Sequence, residues 1–225
     1  MGEIRTDGLL LKKTLIANDD AFLEFFTEKF GKVSVSVKKF GNSKKRKAEI
    51  DFFRLLELSI FEGRNSKSLK SANTTKVFHA FEGNFEINKI GFSWIEILGK
   101  VLPPEKPTPI LFQTITTLCT HITKEECEVF DLFFRIVVLD FLGLLTRFDL
   151  IQGDVFFDPQ NFQFSQNKTP NAIALSNSAR QVIEFLRRSD CKTFLEKKDN
   201  LPKDVFDEVR YTLFAIEEFH LFESE

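Results

Sequence analysis

Six basic side chains, Lys38, Lys39, Lys44, Lys45, Arg46 and Lys47, fall within ten positions of one another, broken by Gly41 and Asn42, the pair best able to turn a backbone. Clustered cations of this kind neutralise phosphates and release the counterions condensed around a polyanion. The same run also suits a solvated, mobile hairpin loop. Phe40 stands among these lysines. Its neighbours do not suggest burial, so it is either a stacking ring for a base or a small hydrophobic anchor for the loop.

No nucleophile–base constellation accompanies the cations. His79, His121 and His220 lie in unrelated contexts, and neither Gly-x-Ser-x-Gly nor the phosphate-cradling Gly-x-x-x-x-Gly-Lys occurs. The pairs Glu125-Glu126 and Glu217-Glu218 read as solvated helix faces. The expectation is a binding protein, not an enzyme, with no cofactor. Cys119, Cys127 and Cys191 form no Cys-x-x-Cys pair. Cys119, His121 and Cys127 could offer three metal ligands, but buried thiols are the favoured reading, so no metal is expected and a reducing, cytoplasmic setting follows.

The elements that must position the basic run can be read from periodicity. Val33, Val35 and Val37 alternate with Lys32, Ser34, Ser36 and Lys38, which predicts a strand with one packed and one solvent-facing side running into the lysine-rich loop. Residues 4–16 and 21–27 read as two earlier strands joined by the turn-prone Ala17, Asn18, Asp19 and Asp20. Residues 50–61 and 67–78 read as a fourth and fifth, separated by Gly63, Arg64 and Asn65. Five strands with short turns is the count of a small oligonucleotide-binding (OB) type β-barrel, here predicted for residues 1–80. Lys12, Lys13, Lys32, Arg64, Lys67 and Lys70 join the basic run and Phe40 as candidate DNA-binding residues on it.

From residue 84 the period becomes helical. Ile87, Ile90, Trp94, Ile97, Leu98 and Val101 mark one helix that stops before Pro103-Pro104; Thr108 with Pro109 opens a second. Residues 125–145 are apolar almost all round and predict the central helix of a helical domain over residues 81–225. An irregular insertion spans about 147–175, with extended pieces at 154–157 and 162–164. Ser178 with Gln181 suggests a capping box for the next helix, and Pro202 the start of the last. The fold class is thus α+β: a barrel followed by helices.

Composition refines the picture. Residues 1–80 carry 16 Lys plus Arg against 10 Asp plus Glu, and residues 81–225 carry 15 against 23, so a formal charge of −2 hides a basic first part and an acidic second part. The first suits a polyanion, the second a protein-facing role. Twenty-eight Phe beside one Tyr and one Trp fits AT-rich codon usage, and most of those rings should be core. No apolar run reaches the ~18 residues of a membrane span. The opening residues lack a signal-peptide core, and Gly2 with Thr6 fits the N-myristoylation pattern only loosely.

This layout resembles the bacterial recombination mediator RecO, and short motifs carry the resemblance. Gly8-Leu9-Leu10-Leu11 looks like that family's first strand, and Asp20 like its acidic residue before the second. Thr27 with Gly31-Lys32 is similar to its Thr-x-x-x-Gly-Lys turn, Lys38 to the lysine of its Ala-Lys-Gly, and Lys44 to a basic position soon after. Glu62-Gly63, Leu102-Pro103 and Leu142-Gly143 resemble the ends of its fourth strand, first long helix and central helix. The chain departs from the pattern at Lys39, where the family has glycine, and at Gly41 and Asn42, which replace an arginine pair. It also has Arg135 where an acidic residue is usual, and residues 144–175 lack the four zinc-binding cysteines of many members.

The resemblance implies a non-catalytic DNA-repair protein that binds single- and double-stranded DNA and anneals complementary strands. It implies engagement of single-stranded-DNA-binding protein through its acidic C-terminal tail, and help from RecR in loading RecA; independently of the resemblance, a groove lined by Phe and Ile in the helical domain, with Arg135 or Arg147 at its rim, could accept an apolar, carboxylate-ended tail. It implies a bacterial, cytoplasmic, nucleoid-associated protein; the departure at residues 144–175, which contain no cysteine, leads to an expectation of no zinc. Two other readings remain: a scaffold whose helical domain binds a partner peptide, and an OB-fold protein that binds RNA.

Overall fold

A computed structural model describes residues 2–64, 66–145, 153, 155–158, 163–170 and 172–222. The chain forms two compact units, Met1–Lys124 and Glu125–Glu225.

In the first unit, five strands close into a barrel in the order β1-β2-β3-β5-β4: β1 (Gly2–Leu15), β2 (Ala21–Thr27), β3 (Gly31–Val37), β4 (Arg54–Glu62) and β5 (Lys67–Val77). Neighbouring strands are antiparallel except β3 and β5, which run parallel and meet at Ser36 and Ser68. This is the OB arrangement expected from the strand count. Alternation decides what goes inside. Leu23, Phe25, Val33, Val35, Leu56, Leu58 and Ile60 fill the barrel, joined by Phe40 and Ile50 from the β3–β4 connection. Within that connection, Lys44–Glu49 form a short helix, α1, where the sequence suggested a loop. The strand expected from residue 50 begins only at Arg54, because Phe53 turns the backbone at φ 57° and stacks its ring on Phe81, centroids 4.3 Å apart.

The period change near residue 84 marks helices, yet these helices stay with the barrel. α2 (Phe85–Val101) is capped by Asn84, whose side chain accepts from the Ile87 amide. α3 (Pro109–His121) has proline in its first turn, but Thr108 at its N-cap makes no cap bond, and its buried hydroxyl has no hydrogen-bond partner. Leu9 and Leu11, on the outside of β1, are covered by Trp94, Leu98, Ile115 and Cys119 around a small apolar cavity. Phe26 of β2 meets Phe112 edge-on at 5.2 Å. Burial pushes the Cys119 thiol up to about 12, so it behaves as a small hydrophobe.

The Thr-x-x-x-Gly-Lys turn is structural. The buried Thr27 hydroxyl donates to the Gly31 carbonyl at 2.8 Å and accepts from the Phe30 amide at 3.2 Å. Gly31 lies at φ 68°, and an added Cβ would come within 2.0 Å of the Lys106 carbonyl oxygen, so only glycine fits. Lys32 then reaches the Gly99 carbonyl at the end of α2, 2.6 Å away, where the helix dipole favours a cation.

The second unit is built on α4 (Cys127–Phe141), buried along nearly its whole length as the all-round apolar pattern predicts. A small sheet, ordered β7-β6-β8, lies in the region expected to be irregular: β6 (Val155–Asp158), β7 (Gln163–Ser165) and β8 (Ile173–Leu175). α5 (Asn177–Arg188), α6 (Cys191–Lys197) and α7 (Phe206–Glu217) follow. The cap of α5 is Ser176, which accepts from Ala179, not the expected Ser178. Ser176 also donates its amide and hydroxyl to Glu208, tying the helix start to α7.

Arg135 is not on a groove rim. It is buried on α4, with its guanidinium 2.9 Å from Asp131, paired with Glu217 of α7 and 4.3 Å from the centre of the Phe214 ring. Two carboxylates on one guanidinium leave an excess negative charge in a dry site. Burial pushes the Glu217 carboxyl up to about 7; the Arg135 charge opposes that shift and the Asp131 charge adds to it. Arg147, the other expected rim residue, lies outside the described residues.

A carboxyl that holds its proton more tightly when folded contributes stability below its ordinary value of 4.5, and this is lost as pH rises through about 7. Chemical denaturation should therefore show greater stability at pH 5 than at pH 8. Glu217→Gln should flatten that difference, and an unaltered difference in the variant would assign it to other groups.

Candidate nucleic-acid interface

The basic run is shaped by Phe40, which points inward. Its ring is 0 % exposed and belongs to the barrel core, which rules it out as a stacking surface and makes it the anchor of the connection. The residues around it are thereby turned outward. Ser43 caps α1 by accepting from the Arg46 amide, and Lys44, Lys45, Arg46 and Lys47 all lie exposed on that helix. Arg46 donates to the Lys38 carbonyl at 3.1 Å, and Lys45 makes a loose pair with Glu49 at 3.9 Å. Both contacts are exposed and contribute little stability.

The turn before α1 is pinned to the β1–β2 connection. The Lys39 amide donates to the Asp20 carboxylate at 2.7 Å, the Gly41 amide to the Asp19 carbonyl at 2.8 Å, and the Asn42 side chain to the Asp19 carboxylate at 2.6 Å. Lys39, where the family has glycine, sits at φ 54° in the left-handed region that glycine favours. The acidic residue before the second strand, noticed as a family landmark, is thus the clamp that fixes the basic turn.

Beside this turn lies the outward face of β2 and β3. Phe22 on β2 is 49 % exposed and is paired across the sheet with Thr14 on β1 and Ser36 on β3. Lys12, opposite Glu24 in the same ladder, and Lys38, just beyond β3, are both exposed. Phe22 carried no distinguishing signal in the sequence, although its position one residue from the buried Ala21 and Leu23 fixes it outward. Strand alternation is the signal that could have found it.

At the opposite end of the face, Lys32, Arg64 and Lys67 line a cleft of about 820 Å³ together with Glu24, Glu62, Glu105, Ser34 and Pro104. Lys67 is held by Glu105 at 2.5 Å and Glu62 at 3.1 Å. The bond from Glu105 is the main cause of a Lys67 ammonium held above its ordinary value. The Glu105 amide in turn donates to the Lys32 carbonyl. Lys13 is similarly committed, 3.3 Å from Asp51 and 5.7 Å from the centres of the Phe40 and Phe52 rings. Lys70 lies over the Phe61 ring at 4.9 Å and shares a cleft of about 260 Å³ with Lys45, Arg46, Ser43 and Asn73.

The expected DNA-binding residues therefore fall into groups. Lys38, Lys39, Lys44, Lys45, Arg46 and Lys47 form one exposed ridge, with Lys12 on the adjoining sheet face and Lys70 beside α1. Lys12, Lys38, Lys39, Lys44 and Lys47 make no salt bridge among the described residues. Lys13, Lys32 and Lys67 have structural partners, and Arg64 stands at the acidic cleft. The first unit carries 20 Lys plus Arg against 14 Asp plus Glu, and the second 11 against 19.

A closed barrel ordered β1-β2-β3-β5-β4, with a pinned basic ridge beside an open sheet face, is an OB-type domain. Residues 1–78 match the family model described as "Recombination protein O N terminal". That match covers the barrel and not the rest of the chain; it supports a member of the RecO family and, with it, a role in recombination and DNA repair. A search of curated proteins found no match. Among the described residues, no helix is long and apolar enough to cross a membrane.

Two measurements probe this geometry. Lys39→Gly relieves a left-handed side-chain residue and should raise unfolding free energy by about 1 kcal/mol, read by urea denaturation. Glu105→Gln together with Glu62→Gln removes both competitors for Lys67, so oligonucleotide binding should tighten and its log–log salt slope should steepen by about 0.7 to 0.9, one further phosphate contact. Adding Lys67→Ala should cancel that gain.

Proposed function

We propose that this protein is a non-catalytic recombination mediator that binds single- and double-stranded DNA and holds complementary strands for annealing. The observation that carries the proposal is the exposed ridge of Lys38, Lys39 and α1, ordered by Asp19 and Asp20 instead of waving in solvent. A turn whose backbone is already fixed loses less backbone freedom when its cations meet phosphates, and the basic unit draws a polyanion toward them. The proposed role includes loading RecA onto DNA coated with single-stranded-DNA-binding protein, with RecR as partner, in the bacterial cytoplasm.

The acidic tail of single-stranded-DNA-binding protein remains part of this proposal, but Arg135 is not its receptor. Its guanidinium is spent joining α4 to α7. A tail site on the second unit has to use other side chains.

The test is binding of a labelled oligonucleotide at rising salt. Affinity should fall steeply, and changing Lys44, Lys45, Arg46 and Lys47 together to Ala should flatten the log–log slope by roughly 1 to 3. An unchanged slope removes the ridge from the interface. Competition by RNA of equal length separates a DNA mediator from an RNA-binding OB protein. Annealing of complementary strands should accelerate in the presence of single-stranded-DNA-binding protein, whereas a peptide-binding scaffold would leave the rate unchanged.

A further inference from the structure

We infer that Phe22 is the stacking platform for single-stranded DNA, so that single strands and duplexes are held by overlapping but different residues: duplex by the α1 ridge alone, single strands by the ridge and Phe22 together. This rests on the DNA-binding reading above and deepens it.

Three observations place the contact. Phe22 is an outward aromatic left open: the next outward ring on its strand, Phe26, is fully buried against Phe112, whereas Phe22 keeps 49 % of its surface in solvent. Its cross-strand neighbours, Thr14 and Ser36, are short hydroxyl residues that leave the ring face accessible to a planar partner. Exposed lysines stand on both sides: Lys12, within the β1–β2 ladder and opposite Glu24, and Lys38, one residue beyond the last β2–β3 pair. A ring flanked by cations matches a nucleotide, which offers a base face and a phosphate on either side.

The other exposed aromatics of this unit are poorer platforms. Phe61 is covered by the Lys70 ammonium, and Phe92 packs on Phe52 and Phe53. Phe85, although 78 % exposed, lies near Glu82 and Glu86, whose charge repels phosphate. Carboxylates also bound the path across the sheet: Glu24, two positions along β2 from Phe22, lines a cleft with Glu62 and Glu105, and the latter two neutralise Lys67 there. The strand is therefore directed from Lys12 over Phe22 toward Lys38 and α1. In a duplex each base face is already stacked on its neighbour, so a duplex reaches the lysines but not the ring.

The experiment compares Phe22→Ala, Phe22→Trp and the unaltered chain for binding to an oligothymidylate and to a hairpin duplex of equal charge. Phe22→Ala should weaken oligothymidylate binding by roughly 5- to 20-fold, the loss of one stacked base, with hairpin binding and both salt slopes unchanged. Phe22→Trp should restore it, and a 2-aminopurine placed in a single strand should be quenched by the unaltered chain and by Phe22→Trp but not by Phe22→Ala. Equal weakening of both DNA forms, or no change in either, overturns the inference while the DNA-binding reading stands. Failure of the unaltered chain to bind either form overturns both.

Discussion

Closing five strands into a barrel leaves one seam that the ladders do not seal, and the interface depends on how it is filled. β3 and β5 are joined by a single bridge, Ser36 to Ser68, whereas the antiparallel pairs run in register over several residues. The chain between β3 and β4 has to plug that end, and Phe40 and Ile50 do so. Burying a phenylalanine contributes up to about 3 kcal/mol, no less than a base stack offers at ~1 to 3 kcal/mol, and core burial does not wait for a ligand. The ring therefore goes in. With Phe40 inside, the flanking Lys38, Lys39 and α1 residues are held outside, and Asp19 and Asp20 fix the turn where they emerge.

The cations sort by whether the fold has a use for them. Lys32 sits on carbonyls at the end of α2, Lys67 between two carboxylates, and Lys13 on Asp51 above two rings. In the second unit, Arg135 is taken further, into a buried site where its removal would leave two carboxylates, Asp131 and Glu217, without their cation. The ridge lysines have none of these partners, and their charge is available to a ligand. Sequence composition cannot make this distinction, because a lysine at the end of a helix and a lysine in solvent are the same letter.

What was legible follows from the range of each signal. Alternation over Gly31–Val37 and the helical spacing over Phe85–Val101 are local, and both elements formed where their periods placed them. The family landmarks Thr27, Gly31, Lys32 and Asp20 were also legible, but their work is architectural: a hydroxyl-bonded turn, a close backbone approach to Lys106, a helix-end contact and a loop clamp. Apart from α1, a local helix capped by Ser43 where a loop was expected, the misreadings involve a distant partner. Phe40 is buried by strands that precede and follow it, Arg135 by Glu217 from another helix, and Ser176 prevails over Ser178 as the α5 cap with a further tie to Glu208. Residues 51–53 kept the apolar run of a strand, but Phe53 turns away to stack on Phe81.

The same reasoning explains why an acidic chain can carry a nucleic-acid face. The formal charge of −2 is an average over a unit with excess cations and a unit with excess carboxylates. At physiological ionic strength charges are screened beyond ~8 Å, so the potential at a surface is set by the charges close to it and not by the total. Nearby acids matter more: Glu105 and Glu62 cancel Lys67 at contact distance, at the opposite end of the face from Lys38 and α1. Local neutralisation, more than total charge, therefore sets which end of the barrel keeps unpaired positive charge.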